Sequence, residues 1–126
     1  MVYSTLFDQP STLGVALNGL SARAEVINNN IANVDTPGFK KSSVQFEDSL
    51  QKALDKARRT GELDLHAVRP MITKIHENFS YRIDGNNVDI ELEMVDLYQT
   101  QMTFDTLVMG INNYYRRINS VLSMRL

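Results

Sequence analysis

Apolar residues recur along the first third of the chain at alternating intervals of four and three residues. They are Leu13, Leu17, Leu20, Ala24, Ile27, Ile31 and Val34. This heptad spacing puts them on one face of an α-helix, as in helices that pack lengthwise against another helix. Pro10 and Ser11 suit the first turn and the cap of a helix, so we predict a helix over residues 11–34. Thr36-Pro37-Gly38 then predicts a turn, because proline disfavours helical backbone at the preceding residue.

The same alternation returns towards the C terminus and continues for longer. Its positions are Ile90, Met94, Leu97, Gln101, Phe104, Val108, Ile111, Tyr115, Ile118, Leu122 and Arg125. We therefore predict a second long helix over residues 88–123, with Asn86 or Asn87 as its N-terminal cap. This helix would be about ten residues longer than the first, which at about 1.5 Å per residue leaves some of its apolar surface uncovered. The excess indicates partners from other chains.

The middle of the chain predicts smaller elements. Residues 46–59 form a shorter amphipathic segment, which predicts a helix. Residues 60–87 lose the helical period, and short alternations at 71–75 and 79–83 permit one or two strands. The predicted fold is mainly α: one domain over residues 1–126, with long N- and C-terminal helices packed as a coiled-coil-like pair. Between them we expect a short helix and an irregular or small β segment.

The heptad pattern also predicts which residues meet. We expect an intramolecular seam of four residues from each long helix: Leu17, Leu20, Ile27 and Ile31 against Phe104, Val108, Ile111 and Ile118. A second period-seven stripe and the asparagine-rich helix end are predicted to contact other subunits, since an amide can pair with backbone or side chains across a helix interface. The predicted subunit contacts are Asn29, Asn30, Asn33, Thr36, Pro37, Gly38, Phe39, Leu107, Tyr114 and Val121.

Composition adds little reactive chemistry to this pattern. The chain has no cysteine and a formal net charge of −2, which excludes thiolate sites and gives no strong field to attract nucleic acid. His66 and His76 have no third ligand at metal-site spacing, and no phosphate-binding glycine loop or nucleophile elbow is present. We therefore predict no catalytic site, no metal, no cofactor, no small-molecule substrate and no nucleic-acid partner.

Two stretches of the sequence resemble one known family. Residues 29–39, Asn-Asn-Ile-Ala-Asn-Val-Asp-Thr-Pro-Gly-Phe, closely resemble the N-terminal signature of the bacterial flagellar rod and hook axial proteins. Residues 85–89 with Glu93-Met94 resemble the start of that family's C-terminal helix. In its short length and its lack of a large middle domain, the chain most resembles the proximal-rod members of the flagellar basal-body rod family.

The resemblance implies a non-enzymatic structural subunit. It would polymerise with copies of itself and other flagellar rod proteins into the drive shaft that transmits motor torque and forms the export channel. It would lie in the basal body in the cell envelope, periplasmic where there is an outer membrane, beside membrane-ring and export-gate components. Flagellar type III export would deliver it without a cleaved signal peptide. The alternatives are a cytoplasmic helical adaptor or export chaperone that binds partner helices and, more distantly, an enzyme that uses His66 or His76.

Overall fold

Long helices dominate the computed structural model, which describes residues 2–76 and 82–124, with residues 2–8 described by their backbone only. The described elements are α1 (Val2–Ala32), β1 (Ser42–Gln45), α2 (Glu47–Thr60), β2 (Met71–Lys74) and α3 (Ile90–Ser123). The predicted fold class is confirmed, because the N- and C-terminal helices pack against each other, and the chain between them forms a short helix and a small sheet. Most of the alternation at residues 79–83 lies outside the described residues. None of the described helices is both long enough and apolar enough to span a bilayer.

The two long helices run in opposite directions. Near one end of the pair, Leu13 lies 4.0 Å from where a Cβ at Gly110 would stand. Near the other end, the Asn30 amide lies 2.9 Å from a carboxylate oxygen of Glu93. Because contacts move down α1 as they move up α3, the pair is antiparallel.

The start of α1 differs from the prediction. The helix begins at Val2, and Pro10 lies inside it. A proline in a helix lacks one N–H donor, but the helical backbone continues on both sides of it, so Pro10 is not the first turn. As a result α1 has 31 residues and α3 has 34. The predicted ten-residue excess of the C-terminal helix is therefore wrong, and with it the argument that this excess requires partners.

The cap of α3 also differs from the prediction. Asp89 is the N-cap, and its carboxylate accepts hydrogen bonds from the N–H groups of Glu91 and Leu92 at 3.0 and 3.3 Å. Acidic residues in the first turn then face the positive end of the helix dipole. The prediction that Asn86 or Asn87 caps this helix is wrong, because both amides are bound to other parts of the chain.

The sheet has two antiparallel strands in which Ser42 is opposite Lys74 and Gln45 is opposite Met71. β2 falls in the predicted alternation at 71–75. β1 was not predicted, because four residues between a basic loop and a helix carry too short a pattern to recognise.

The hydrophobic core lies where β1 crosses α1. Leu20, Val44 and Phe46 are buried, and half-buried side chains from α2 and α3 pack around them. The Phe46 ring lies against Gly19, where an added Cβ would come within 2.6 Å of ring atoms. A glycine is therefore required at this point of α1, and the core fixes the sheet against the helix pair.

Candidate functional site

The end of α1 and the start of α3 meet in a junction built largely from asparagine side chains. Asn30 and Asn86 are each 1% exposed and Glu93 is 4% exposed. Polar side chains are rarely buried to this degree unless they have hydrogen-bond partners. We call this region, formed by residues 30–41, 82–89 and Glu93, the amide junction.

Asn86 binds the turn that follows α1. Its Nδ2 lies 3.0, 2.9 and 2.9 Å from the carbonyl oxygens of Asn33, Val34 and Thr36. Its Oδ1 accepts a hydrogen bond from the N–H of Val88 at 2.7 Å. All three carbonyls belong to the turn that follows α1, so this one side chain ties the loop before α3 to that turn.

Asn87 extends the sheet. The N–H of Ile75 donates to the carbonyl of Lys41 at 2.9 Å. The return bond, from the Lys41 N–H to the Ile75 carbonyl, is bridged by the Asn87 side chain. Its Oδ1 accepts from the Lys41 N–H at 2.7 Å, and its Nδ2 donates to the Ile75 carbonyl at 2.9 Å. One side chain therefore joins the loop before α3 to both strands.

Asn30 joins α1 to β1 and to α3. Its amide accepts from the N–H of Ser42 at 3.0 Å and donates to the Ser42 carbonyl at 2.8 Å, as a neighbouring strand would. The same Nδ2 donates to one oxygen of Glu93 at 2.9 Å, and Lys41 Nζ lies 3.7 Å from the other oxygen. The buried carboxylate is thus both hydrogen-bonded and paired with a cation, as a buried charge requires.

Two glycines allow the loops of the junction to approach each other. Gly38 and Gly85 have φ of +71° and +78°, a left-handed backbone that other residues adopt at a cost. The Gly38 N–H donates to the carbonyl of Asp84 at 2.8 Å, and Lys40 Nζ donates to the Gly85 carbonyl at 2.7 Å. The turn after α1 and the loop before α3, which carry the two motifs of the sequence, are therefore in direct contact.

The residues of the predicted seam are buried or half-buried. Leu20 and Ile27 are buried, and the other members are half-buried: Leu17, Ile31, Phe104, Val108, Ile111 and Ile118. The buried face of α3 is nevertheless rotated about the helix axis relative to the face that the heptad pattern predicts. Its buried residues are Glu93 and Thr100, whereas Ile90 and Tyr115, both placed on the seam by the pattern, are 45% and 53% exposed.

The predicted subunit contacts divide into three groups. Asn30 is buried in the amide junction, Leu107 packs against the core and Tyr114 is half-buried. Leu107 and Tyr114 face the interior, because their stripe of α3 also contains Glu93 and Thr100, and Asn30 is bound inside the junction. Asn33 and Phe39 are half-buried in the junction, while the remaining predicted contacts are exposed: Asn29, Thr36, Pro37, Gly38 and Val121.

One exposed surface was missed in the sequence. Val95, Tyr98, Met102 and Met109 are 50, 63, 70 and 58% exposed. At about 100° per residue they lie on the side of α3 opposite Glu93 and Thr100. We call these four residues the outer stripe. Their spacing of three, four and seven is itself a heptad signal, which the stronger seam obscured.

The polar side chains of the described residues bind mainly other groups of the same chain. No group of three or more His, Cys, Asp or Glu side chains among them is placed to hold a metal ion, and His66 and His76 are exposed. The polar side chains of the amide junction are directed at backbone groups of the same chain. What this arrangement does is hold the ends of two long helices together.

Comparison with known proteins identifies the family. The family model described as flagella basal body rod protein matches residues 12–40, which cover most of α1 and the turn into the junction. The flagellar basal body rod protein FlgB of Borreliella burgdorferi is 37% identical over 122 residues, 84% of this chain and 89% of that protein. The FlgB of Bacillus subtilis is 32% identical over 114 residues, 86% of this chain and 88% of that protein. The FlgB of Yersinia ruckeri is 30% identical over 120 residues, 85% of this chain and 88% of that protein. The resemblance seen in the sequence is confirmed: the chain belongs to the family of flagellar basal body rod proteins.

Proposed function

We propose that this chain is a structural, non-enzymatic subunit of the proximal rod. It polymerises with copies of itself and other rod proteins into the shaft that transmits motor torque and encloses the export channel. The outer stripe is the observation that carries this proposal. An apolar row facing away from its own partner helix fits a different face of the next subunit, and such heterologous contacts build filaments rather than closed dimers.

The helix pair suits a shaft under torsion. α3 has 34 residues and is therefore about 50 Å long. Helices that pack lengthwise over such a distance resist twisting, because many interdigitated side chains must move together. The amide junction opposes sliding at one end, since a shift there would leave buried polar groups without partners.

The proposed subunit surface combines the outer stripe with the exposed members of the predicted set. Those members are Asn29, Thr36, Pro37, Gly38 and Val121. Asn30, Leu107 and Tyr114 are left out because they face the interior of the chain. Neighbours in this proposal are other rod proteins, membrane-ring components and the export gate. The protein would act in the basal body within the cell envelope, after flagellar type III export without a cleaved signal.

Fractionation tests the location. We expect antibody against the chain to detect it in purified basal bodies. Recovery only from the soluble cytoplasm would contradict the rod role and favour a cytoplasmic adaptor or export chaperone.

Substitution tests the surface. Met102 is 70% exposed, so Met102→Asp should leave the urea midpoint of the purified chain unchanged while a charge on the apolar contact prevents entry into basal bodies. Thr103→Asp is the matched control, since this exposed residue points about 100° away from the outer stripe. Normal incorporation of the Met102→Asp chain would remove the outer stripe from the contact.

A further inference from the structure

Charged residues divide α3 into an acidic half and a basic half. Every Asp and Glu of this helix lies at or before residue 105, and its two basic residues, Arg116 and Arg117, follow. The side chains of Glu91 and Arg116 are exposed, and neither has an ion pair within residues 2–76 and 82–124. These two charges are therefore free to pair with another chain.

Glu91 and Arg116 lie at opposite ends of the outer stripe. Glu91 comes four residues before the first residue of the stripe, and Arg116 comes seven residues after the last. At about 100° per residue, both lie within about 30° of the centre of the stripe. The outward face of α3 thus has an apolar row with an acid at one end and a base at the other.

This face is complementary to a second copy of itself that runs in the opposite direction. If Glu91 of one copy lies beside Arg116 of the other, the symmetric pair forms at the far end of the contact. The same alignment places Tyr98 beside Met109 of the second copy, where the sulfur contacts the aromatic ring. All four residues of the outer stripe are then covered, over about 39 Å of helix.

The other charges of α3 do not specify a different partner. Glu93 is buried and Asp89 caps the helix. Asp96 and Arg117 lie about 130° and 70° from the centre of the outer stripe. Asp105 lies about 50° away, and its carboxylate accepts a hydrogen bond from an amide of its own helix at 3.0 Å. Two Asp105 side chains would approach each other near the middle of the pair, which weakens the contact but leaves its charged ends complementary.

We propose that the free chain forms a closed antiparallel dimer in which the outer stripes of two copies cover each other. The apolar side chains supply most of the affinity, and the ion pairs between Glu91 and Arg116 set the register. In the proposed rod the stripe meets a different face of the next subunit, so the dimer must dissociate before assembly. That last step rests on the proposed function, whereas the dimer itself does not.

Sedimentation equilibrium of the purified full chain tests the dimer. Because the contact between two single helices is small, we expect twice the mass of the chain at about 100 μM and the monomer at about 1 μM. A monomer at the higher concentration would overturn the proposal. Species that keep growing with concentration would also overturn it, since a closed contact stops at two copies. The urea comparison of Met102→Asp belongs at the lower concentration, because dimerisation stabilises the folded chain by mass action.

Charge reversal tests the ion pairs. Glu91→Arg and Arg116→Glu each put like charges at both ends of the dimer, and each should raise the dissociation constant at least tenfold. An equal mixture of the two variants should dimerise like the parent chain, because both ends of a mixed dimer again have one acid and one base. Arg117→Glu is the control and should change the dissociation constant less than threefold. A mixture that stays monomeric would overturn the register.

Cysteine cross-linking tests the direction of the helices. The chain has no cysteine, so Tyr98→Cys and Met109→Cys each introduce a single thiol. In the proposed dimer these two positions are adjacent across the contact, within the span of a disulfide. Position 98 of one copy is about 16 Å along the axis from position 98 of the other. Oxidation should therefore give covalent dimers from the mixed variants and none from either variant alone. Cross-linking of either variant with itself would overturn the antiparallel register.

The dimer and the rod role fail on different results. If the parent chain is monomeric at about 100 μM yet present in basal bodies, the dimer is wrong and the rod role stands. If the chain dimerises and the mixed variants recover dimerisation, but basal bodies lack the chain, the rod role fails and the dimer stands.

Discussion

Asn86 binds the turn that follows α1. Replacing it with alanine leaves carbonyl groups of that turn and the buried Val88 N–H without this partner. An unsatisfied buried polar group costs about 1–3 kcal/mol, so Asn86→Ala should lower the free energy of unfolding by about 3 kcal/mol. Urea denaturation followed by circular dichroism measures the loss. Asn28→Ala, at an exposed position of α1, is the control; equal midpoints for the two variants would contradict this role of Asn86.

Glu47 makes stability depend on pH. Burial raises the pKa of Glu47, but hydrogen bonds from the N–H groups of Phe46 and Glu47 and the guanidinium of Arg23 lower it, and the net pKa lies below its ordinary 4.5. A carboxyl with a lowered folded-state pKa contributes stability above its unfolded pKa and loses it as the pH falls through the folded value. Glu47→Gln should therefore lower the urea midpoint at pH 7. At pH 3 the difference in urea midpoint between this variant and the parent chain should be smaller. A constant difference at both pH values would contradict this role.

The contact between α1 and the sheet depends on a glycine rather than on helix propensity. Alanine at either glycine of α1 favours the helix by about 1 kcal/mol. At Gly19, however, the new Cβ would lie 2.6 Å from the Phe46 ring, whereas at Gly14 it would meet nothing within 4 Å. Gly14→Ala should therefore raise the thermal midpoint, while Gly19→Ala should destabilise the chain by about 1–3 kcal/mol through overpacking. Stabilisation by both would show that the Phe46 ring does not pack closely on α1.

An element can be predicted from the sequence when the residues that stabilise it are close to one another along the chain. The heptads of α1 and α3 are local, so the sequence shows both long helices. The inward face of α3 was misplaced because Glu93 is polar, and its burial depends on Asn30, 63 residues away. The amides were taken for subunit contacts because their cost to a helix is visible locally. The benefit of the Asn30 amide comes from Ser42 and Glu93, 12 and 63 residues distant, which no periodicity shows.

Burial is concentrated at one end of the molecule. Within the described side chains, every fully buried residue lies between Gly19 and Thr100. Beyond Thr100, α3 has only half-buried and exposed residues, and Val121 and Leu122 are 69% and 77% exposed. The free energy of local opening falls where few apolar groups are buried. The end of the helix pair opposite the amide junction is therefore the end that gains most from neighbouring subunits.

Hydrogen exchange can follow that gain. In dilute chain, amides of residues 111–123 should exchange at least tenfold faster than those of residues 93–104, because about 1.4 kcal/mol less opening free energy gives a factor of ten. In assembled rods both ranges should be slow, since neighbours then cover the far end of α3. Ile118→Asp should keep the fast exchange and prevent assembly by burying an unpaired charge, while Asn119→Asp, at an exposed position, should assemble. Equally strong protection of both ranges in the dilute chain would mean that the helix pair is complete without neighbours.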